Sequence, residues 1–140
     1  MNKKILIDTD VIIDFLRGVD KAVNYIKSHS EEIVLSVITA AELYAGVKEG
    51  DERKELDDFL DLFPILTVTA DIAKTGGLYK RDFARSHGVG LADGLMAATA
   101  KNHDVDLKTL NIKHYPMLKG LKAPYSKKSN VRPDTDTAQR

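Results

Sequence analysis

At 140 residues the chain has the length of one domain, enough to bury about two thirds of its unfolded surface without a covalent staple. It has no cysteine, which excludes disulfides and thiolate metal sites, and no apolar run nears the roughly 20 residues of a membrane-spanning helix. The 21 basic and 21 acidic residues cancel, so no global excess of positive charge marks a nucleic-acid partner. The opening Met1-Asn-Lys-Lys4 runs directly into a short strand that ends in acids, unlike a signal peptide, and the expectation is a soluble cytoplasmic protein with no membrane partner. Charge is uneven only locally. From Tyr125 to Arg140 four basic residues (Lys127, Lys128, Arg132, Arg140) face two acids (Asp134, Asp136).

In chain order, residues 4–8 read as a buried strand and residues 11–16 as a short helix closed by Gly18. Residues 20–28 form an amphipathic helix, with Ala22, Val23 and Ile26 on one side. A β-branched strand follows at residues 33–37, then a helix from Thr39 to about Val47. After the break at Glu49-Gly-Asp51, residues 52–63 are strongly helical, with Leu56, Phe59, Leu60 and Phe63 at i, i+3, i+4 and i+7. Pro64 ends that helix, and a third strand is expected at residues 65–68. A long helix beginning at Thr69 or Ala70 runs to about Gly88, with a weak spot at Gly76-Gly77. An alanine-rich helix spans about residues 93–101, and a fourth strand residues 107–110. A last extended piece is expected near residues 121–125. Beyond it, residues 126–140 are rich in Ser, Lys, Asp, Thr and Pro, lack periodicity and read as a disordered tail. Nearly all-apolar strands separated by helices predict an α/β fold with a parallel sheet covered on both faces.

Four positions invite a chemical reading. Asp8 ends the first strand, where open α/β sheets bind ligands, although an aspartate there also suits a helix N-cap. Asp10 could supply that cap instead and leave Asp8 unengaged. Glu42 lies three residues after Thr39, the spacing of a capping box, which favours a structural role on spacing alone. Asp93 opens the alanine-rich helix, where the helix dipole favours an anion. Gly94, Ala97, Ala98 and Ala100 behind it permit close packing against the sheet or another helix. Asn111 follows the fourth strand in Thr109-Leu-Asn111-Ile-Lys-His114-Tyr115, a position ordinarily filled by a turn residue. Asp104 and Asp106 read as solvated loop acids, and His114 as a surface histidine.

Together, and in this order, the four resemble a family. Asp8 after strand one, Glu42 in a Thr-x-x-Glu-Leu helix start, Asp93 in Leu-Ala-Asp-x-Leu-Met-Ala-Ala-Thr-Ala, and Thr-Leu-Asn-x-Lys-His-Tyr after a late strand form the motif set of PIN-domain nucleases. Within that family the chain is most similar to the VapC-type toxins of toxin–antitoxin pairs. The resemblance covers about residues 4–125. It implies a single PIN-like domain over residues 1–125, an α/β/α sandwich with acids converging at one end of a central parallel sheet. It also implies a metal-dependent endoribonuclease, with Mg²⁺ or Mn²⁺ as cofactor, an RNA substrate, a VapB-type antitoxin as partner and a homodimer. Carried over by motif, Asp8, Glu42 and Asp93 are the metal-ligating carboxylates, and all three with Asn111 form the catalytic set. Asn111 departs from the family, which often has Asp there, and brings no charge for a second metal. Oxygen ligands suit Mg²⁺, and gathered carboxylates should raise one another's pKa values. Lys80, Arg81, Arg85, Lys108 and Lys113 are candidates to grip the RNA backbone.

Two other functions compete. Ile-Leu-Ile-Asp8-Thr-Asp10-Val11 also fits a haloacid-dehalogenase-like phosphatase, with Asp8 as nucleophile and Asp10 as acid/base, but no Gly-Asp-x-x-x-Asp follows a later strand. A PIN-like binding module that lost catalysis through Asn111 is the non-enzymatic alternative.

Overall fold

A computed structural model describes residues 3–126. Four short strands, β1 (Ile5–Ile7), β2 (Ile33–Ser36), β3 (Ile65–Leu66) and β4 (Asp106–Lys108), form one parallel sheet in the order β3-β2-β1-β4. The chain moves outward from β1 through β2 to β3, then returns to place β4 on the other side of β1. Helices α1 (Thr9–Leu16), α2 (Asp20–Ser28), α3 (Val37–Ala45) and α4 (Asp51–Leu60) serve the outward path, and α5 (Ala70–His87) and α6 (Leu91–His103) the return.

Alternation along the strands sorts the core into two layers. Ile5, Ile7, Ile33 and Leu35 pack with Val11 and Ile12 of α1, Ile26 of α2, Leu43 of α3, and Leu56, Phe59 and Leu60 of α4. Leu6, Val34 and Leu107 point the other way, onto Met96, Ala97 and Ala100 of α6 and onto Tyr115. Each fully buried aliphatic side chain contributes on the order of 1.5–3 kcal/mol. Both faces of the sheet are covered, giving the α/β/α sandwich.

The strands stop earlier than their composition suggests, and each stops for a reason of pairing. Leu66 pairs with Ser36, and the next residue of β2, Val37, is already helical, so β3 has no neighbour for Thr67 or Val68. In the same way β4 ends at Lys108 opposite Ile7, where Asp8 N–H donates to the Lys108 carbonyl at 2.9 Å and the chain enters α1. Residues 121–125 form no strand. They cross instead to the α1 side, where the Tyr125 hydroxyl donates to Asp14 Oδ2 at 2.8 Å. The tail expected at 126–140 lies, from residue 127 onward, outside the described residues.

Helix starts also depart from the sequence reading. The capping box at Thr39 and Glu42 does not form. Ser36 caps α3, its hydroxyl accepting from Ile38 N–H at 2.9 Å, which puts Thr39 in the first helical turn and Glu42 in the second. The Gly76-Gly77 pair does not interrupt α5; Gly76 is where α6 crosses it. A β-carbon on Gly94 would overlap the Gly76 carbonyl oxygen, and one on Gly76 would lie 2.9 Å from Leu95 Cα. Gly88 closes α5 in the left-handed region, at φ 67°.

Candidate active site at the sheet switch point

Strand order reverses at β1, and in such sheets the crevice at the carboxyl ends of the diverging strands is where ligands bind. Here that crevice lies beyond Ile7 and Lys108, between the start of α1 and the loop after β4. Asp8 is its floor. The carboxylate is 9% exposed and engaged on both oxygens, with acceptor capacity left on Oδ1: Oδ1 accepts from Thr9 N–H at 2.8 Å, and Oδ2 accepts from the Thr109 and Tyr115 hydroxyls, each at 2.8 Å. The N-cap of α1 is therefore Asp8 itself rather than Asp10. Capping and facing the crevice are compatible because the cap uses only one oxygen.

Asp10 has a different job. Its Oδ1 accepts from Val11 N–H at 2.8 Å and its Oδ2 from Leu110 N–H at 3.0 Å, which ties α1 to the loop after β4. A carboxylate holding backbone groups on both oxygens is a poor acid/base for a phosphatase.

Asp93 comes from the other face of the sheet. It is the third residue of α6, and its Oδ2 accepts from Gly90 N–H at 3.0 Å, so it closes the helix start from within rather than capping it. Its Oδ1 lies 3.4 Å from the Tyr115 hydroxyl, the same group that donates to Asp8. One phenol therefore links carboxylates 85 positions apart in the chain. On the far flank, Asn111 Nδ2 is 3.1 Å from His114 Nδ1, and that nitrogen is 3.5 Å from Asp93 Oδ2.

Glu42 stands apart from the pair. It is exposed, and its Oε1 accepts from the Thr9 hydroxyl at 2.6 Å, with the buried Thr39 hydroxyl 3.0 Å from the same Thr9 oxygen. Thr9 thus relays between Asp8, through its N–H, and Glu42, through its hydroxyl. Among the described residues no three acidic or histidine side chains are gathered as a metal cage. The donor set fits a hard cation held by two carboxylates, Asp8 and Asp93, since Mg²⁺ is commonly bound by one or two carboxylates with waters and substrate phosphate.

Burial, more than mutual repulsion, sets the electrostatics. The pKa of Asp8 is raised mainly by desolvation, opposed by the hydrogen bonds from Tyr115, Thr109 and Thr9, with the Asp93 charge a smaller contribution. Asp10 is pushed up to about 6, by burial first and the charge of Asp8 second. The Tyr115 phenol is raised, by burial and then by Asp8, and stays protonated as a donor. Tyr115, Thr109 and Thr9 are site residues to which the sequence reading assigned no role, although Thr109 and Tyr115 lie within the fourth motif. Thr9 opens α1, Thr109 directly follows β4, and Tyr115 is an aromatic residue that reads as core.

Residues 5–115 match the PIN domain family. The chain belongs to the PIN domain family. Among its relatives is Ribonuclease VapC10 of Mycobacterium tuberculosis, 40% identical over 125 residues, which span 87% of this chain and 93% of that protein. Ribonuclease VapC19 of the same organism is 40% identical over 124 residues, covering 86% and 98% respectively. Among solved structures, a toxin–antitoxin complex from Klebsiella pneumoniae contains a chain that superposes with a TM-score of 0.75 at 26% identity, covering 88% of this chain and 99% of that one. This PIN domain has no helix among its described residues long and apolar enough to cross a membrane.

Proposed function

We propose that this PIN domain is a metal-dependent endoribonuclease and the toxin of a VapBC-type pair, acting in the cytoplasm on RNA and restrained by a VapB-type antitoxin. The observation that carries the chemistry is the pairing of Asp8 and Asp93 across one hydroxyl at the switch point. The similarity to two mycobacterial ribonucleases over most of the chain supports RNA as substrate, and the likeness to a toxin–antitoxin complex supports an antitoxin partner. The resemblance also carries a homodimer.

Asp8 and Asp93 would hold a divalent cation, which when bound would supply activation of water and neutralisation of charge on the scissile phosphate. Backbone N–H groups and hydroxyls fix both carboxylates in place as ligands. Glu42 serves as general base. The Thr9 hydroxyl holds Oε1, and Oε2 is left to accept a proton from the attacking water. Asn111, with His114, flanks Asp93 and orients water or substrate without adding charge.

Purified protein incubated with single-stranded RNA and Mg²⁺ tests the reading. Cleavage is expected with the wild type, and its loss, by at least 100-fold, with Asp8→Asn, Asp93→Asn or a chelator. Phosphate release from small phosphoesters without RNA cleavage would favour the phosphatase instead, and metal binding without turnover would favour the binding module.

A further inference from the structure

Tyr115 belongs to no acid motif, yet it is 1% exposed and its hydroxyl is the only group shown to touch both Asp8 and Asp93 among the described residues. A phenol has one proton. At 2.8 Å that proton goes to Asp8 Oδ2, so at 3.4 Å Asp93 Oδ1 meets an oxygen with nothing left to donate. The hydroxyl therefore fixes Asp8 and stands at longer reach from Asp93, whose side chain is 27% exposed and open to a further ligand. The ring cannot swing away, because it is packed among Leu6, Val34, Met96, Ala97 and Leu107. Its backbone is held too, with Tyr115 N–H donating to the Ile112 carbonyl at 2.9 Å.

We infer that Tyr115 is a positioning residue for the divalent cation, its hydroxyl orienting the Asp8 carboxylate that, with Asp93, would hold that cation. This rests on the proposed nuclease reading for its consequence in turnover, but not for its consequence in binding. Partners that orient metal ligands typically change metal affinity by about 10–100-fold when removed. Thr109 still orients Asp8 when the phenol is gone, which places the effect toward the lower end of that range.

The test compares Tyr115→Phe with Tyr125→Phe. The second removes a tyrosine–aspartate hydrogen bond of the same 2.8 Å length, to Asp14, from a residue that touches neither acid of the site. Mn²⁺ affinity of the full chain is measured by calorimetry, and RNA cleavage across a range of Mn²⁺ concentrations. Thermal unfolding without metal controls for folding. Tyr115→Phe is expected to raise the Mn²⁺ Kd by about 10-fold. Cleavage should fall in proportion at limiting Mn²⁺ and recover at saturation, with KM for RNA unchanged. Tyr125→Phe should leave the Kd within twofold of wild type even if it unfolds at a lower temperature. Equal affinities for Tyr115→Phe and wild type, with RNA cleavage intact, overturn this inference and leave the nuclease reading standing. A wild-type chain that binds no Mn²⁺ overturns both.

Discussion

Asp10 shows how closely structure and chemistry are interleaved at the residue scale. Two positions from Asp8, it uses both oxygens to hold backbone N–H groups, yet burial and the neighbouring charge raise its carboxyl to about 6. The ordinary aspartate value is about 3.9. Between roughly pH 4 and 6 the folded protein therefore binds more protons at this group than the unfolded chain does, and stability at this group falls as pH rises through that window. Metal-free wild type should show this component in its unfolding midpoint, and Asp10→Asn should remove it while lowering stability overall, because an amide can accept from only one of the two N–H groups. A pH slope identical in wild type and variant would contradict the assignment. Asp8 and Asp93 were legible as candidates because each stands where an element begins. Glu42 was harder. Its spacing from Thr39 mimics a capping box, and only the early start of α3 at Val37 turns it toward Thr9. Tyr115 closes the fourth motif but was given no role, since a buried tyrosine after a turn is ordinarily packing.

At the scale of elements, the contact of α5 with α6 decides where Asp93 stands. The helices approach so closely at Gly76 and Gly94 that neither position has room for a β-carbon. Gly77, one residue on, has open space beyond it. Neighbouring glycines in one helix should thus respond oppositely to alanine. Gly76→Ala is expected to destabilise by about 1–3 kcal/mol through overpacking against Leu95, and Gly77→Ala to stabilise by about 0.5–1 kcal/mol through helix propensity. Urea unfolding of the two variants measures both, and equal effects of either sign would refute the crossing. The helices themselves were readable from periodicity, α2 to the residue. Strand ends were not, because they depend on partners. β3 and β4 stop where β2 and β1 turn into helix, a fact about neighbouring strands that no local pattern of residues carries.

For the whole molecule, the order β3-β2-β1-β4 is what brings the site together, and it too was invisible in the sequence. Placing β4 beside β1 sets Thr109 against Asp8, and the return through α5 and α6 carries Asp93 to the same end of the sheet. The acid motifs are far apart because the chain visits both faces before closing the crevice. The central claim is that Asp8 and Asp93 share one cation. Its most direct test is an anomalous-scattering map from crystals grown with Mn²⁺. The expected result is a single peak between the two carboxylates, within about 2.0–2.3 Å of an oxygen of each, near the distances typical of hard divalent ions. Density for Mn²⁺ elsewhere in the molecule, with none between Asp8 and Asp93, would contradict it.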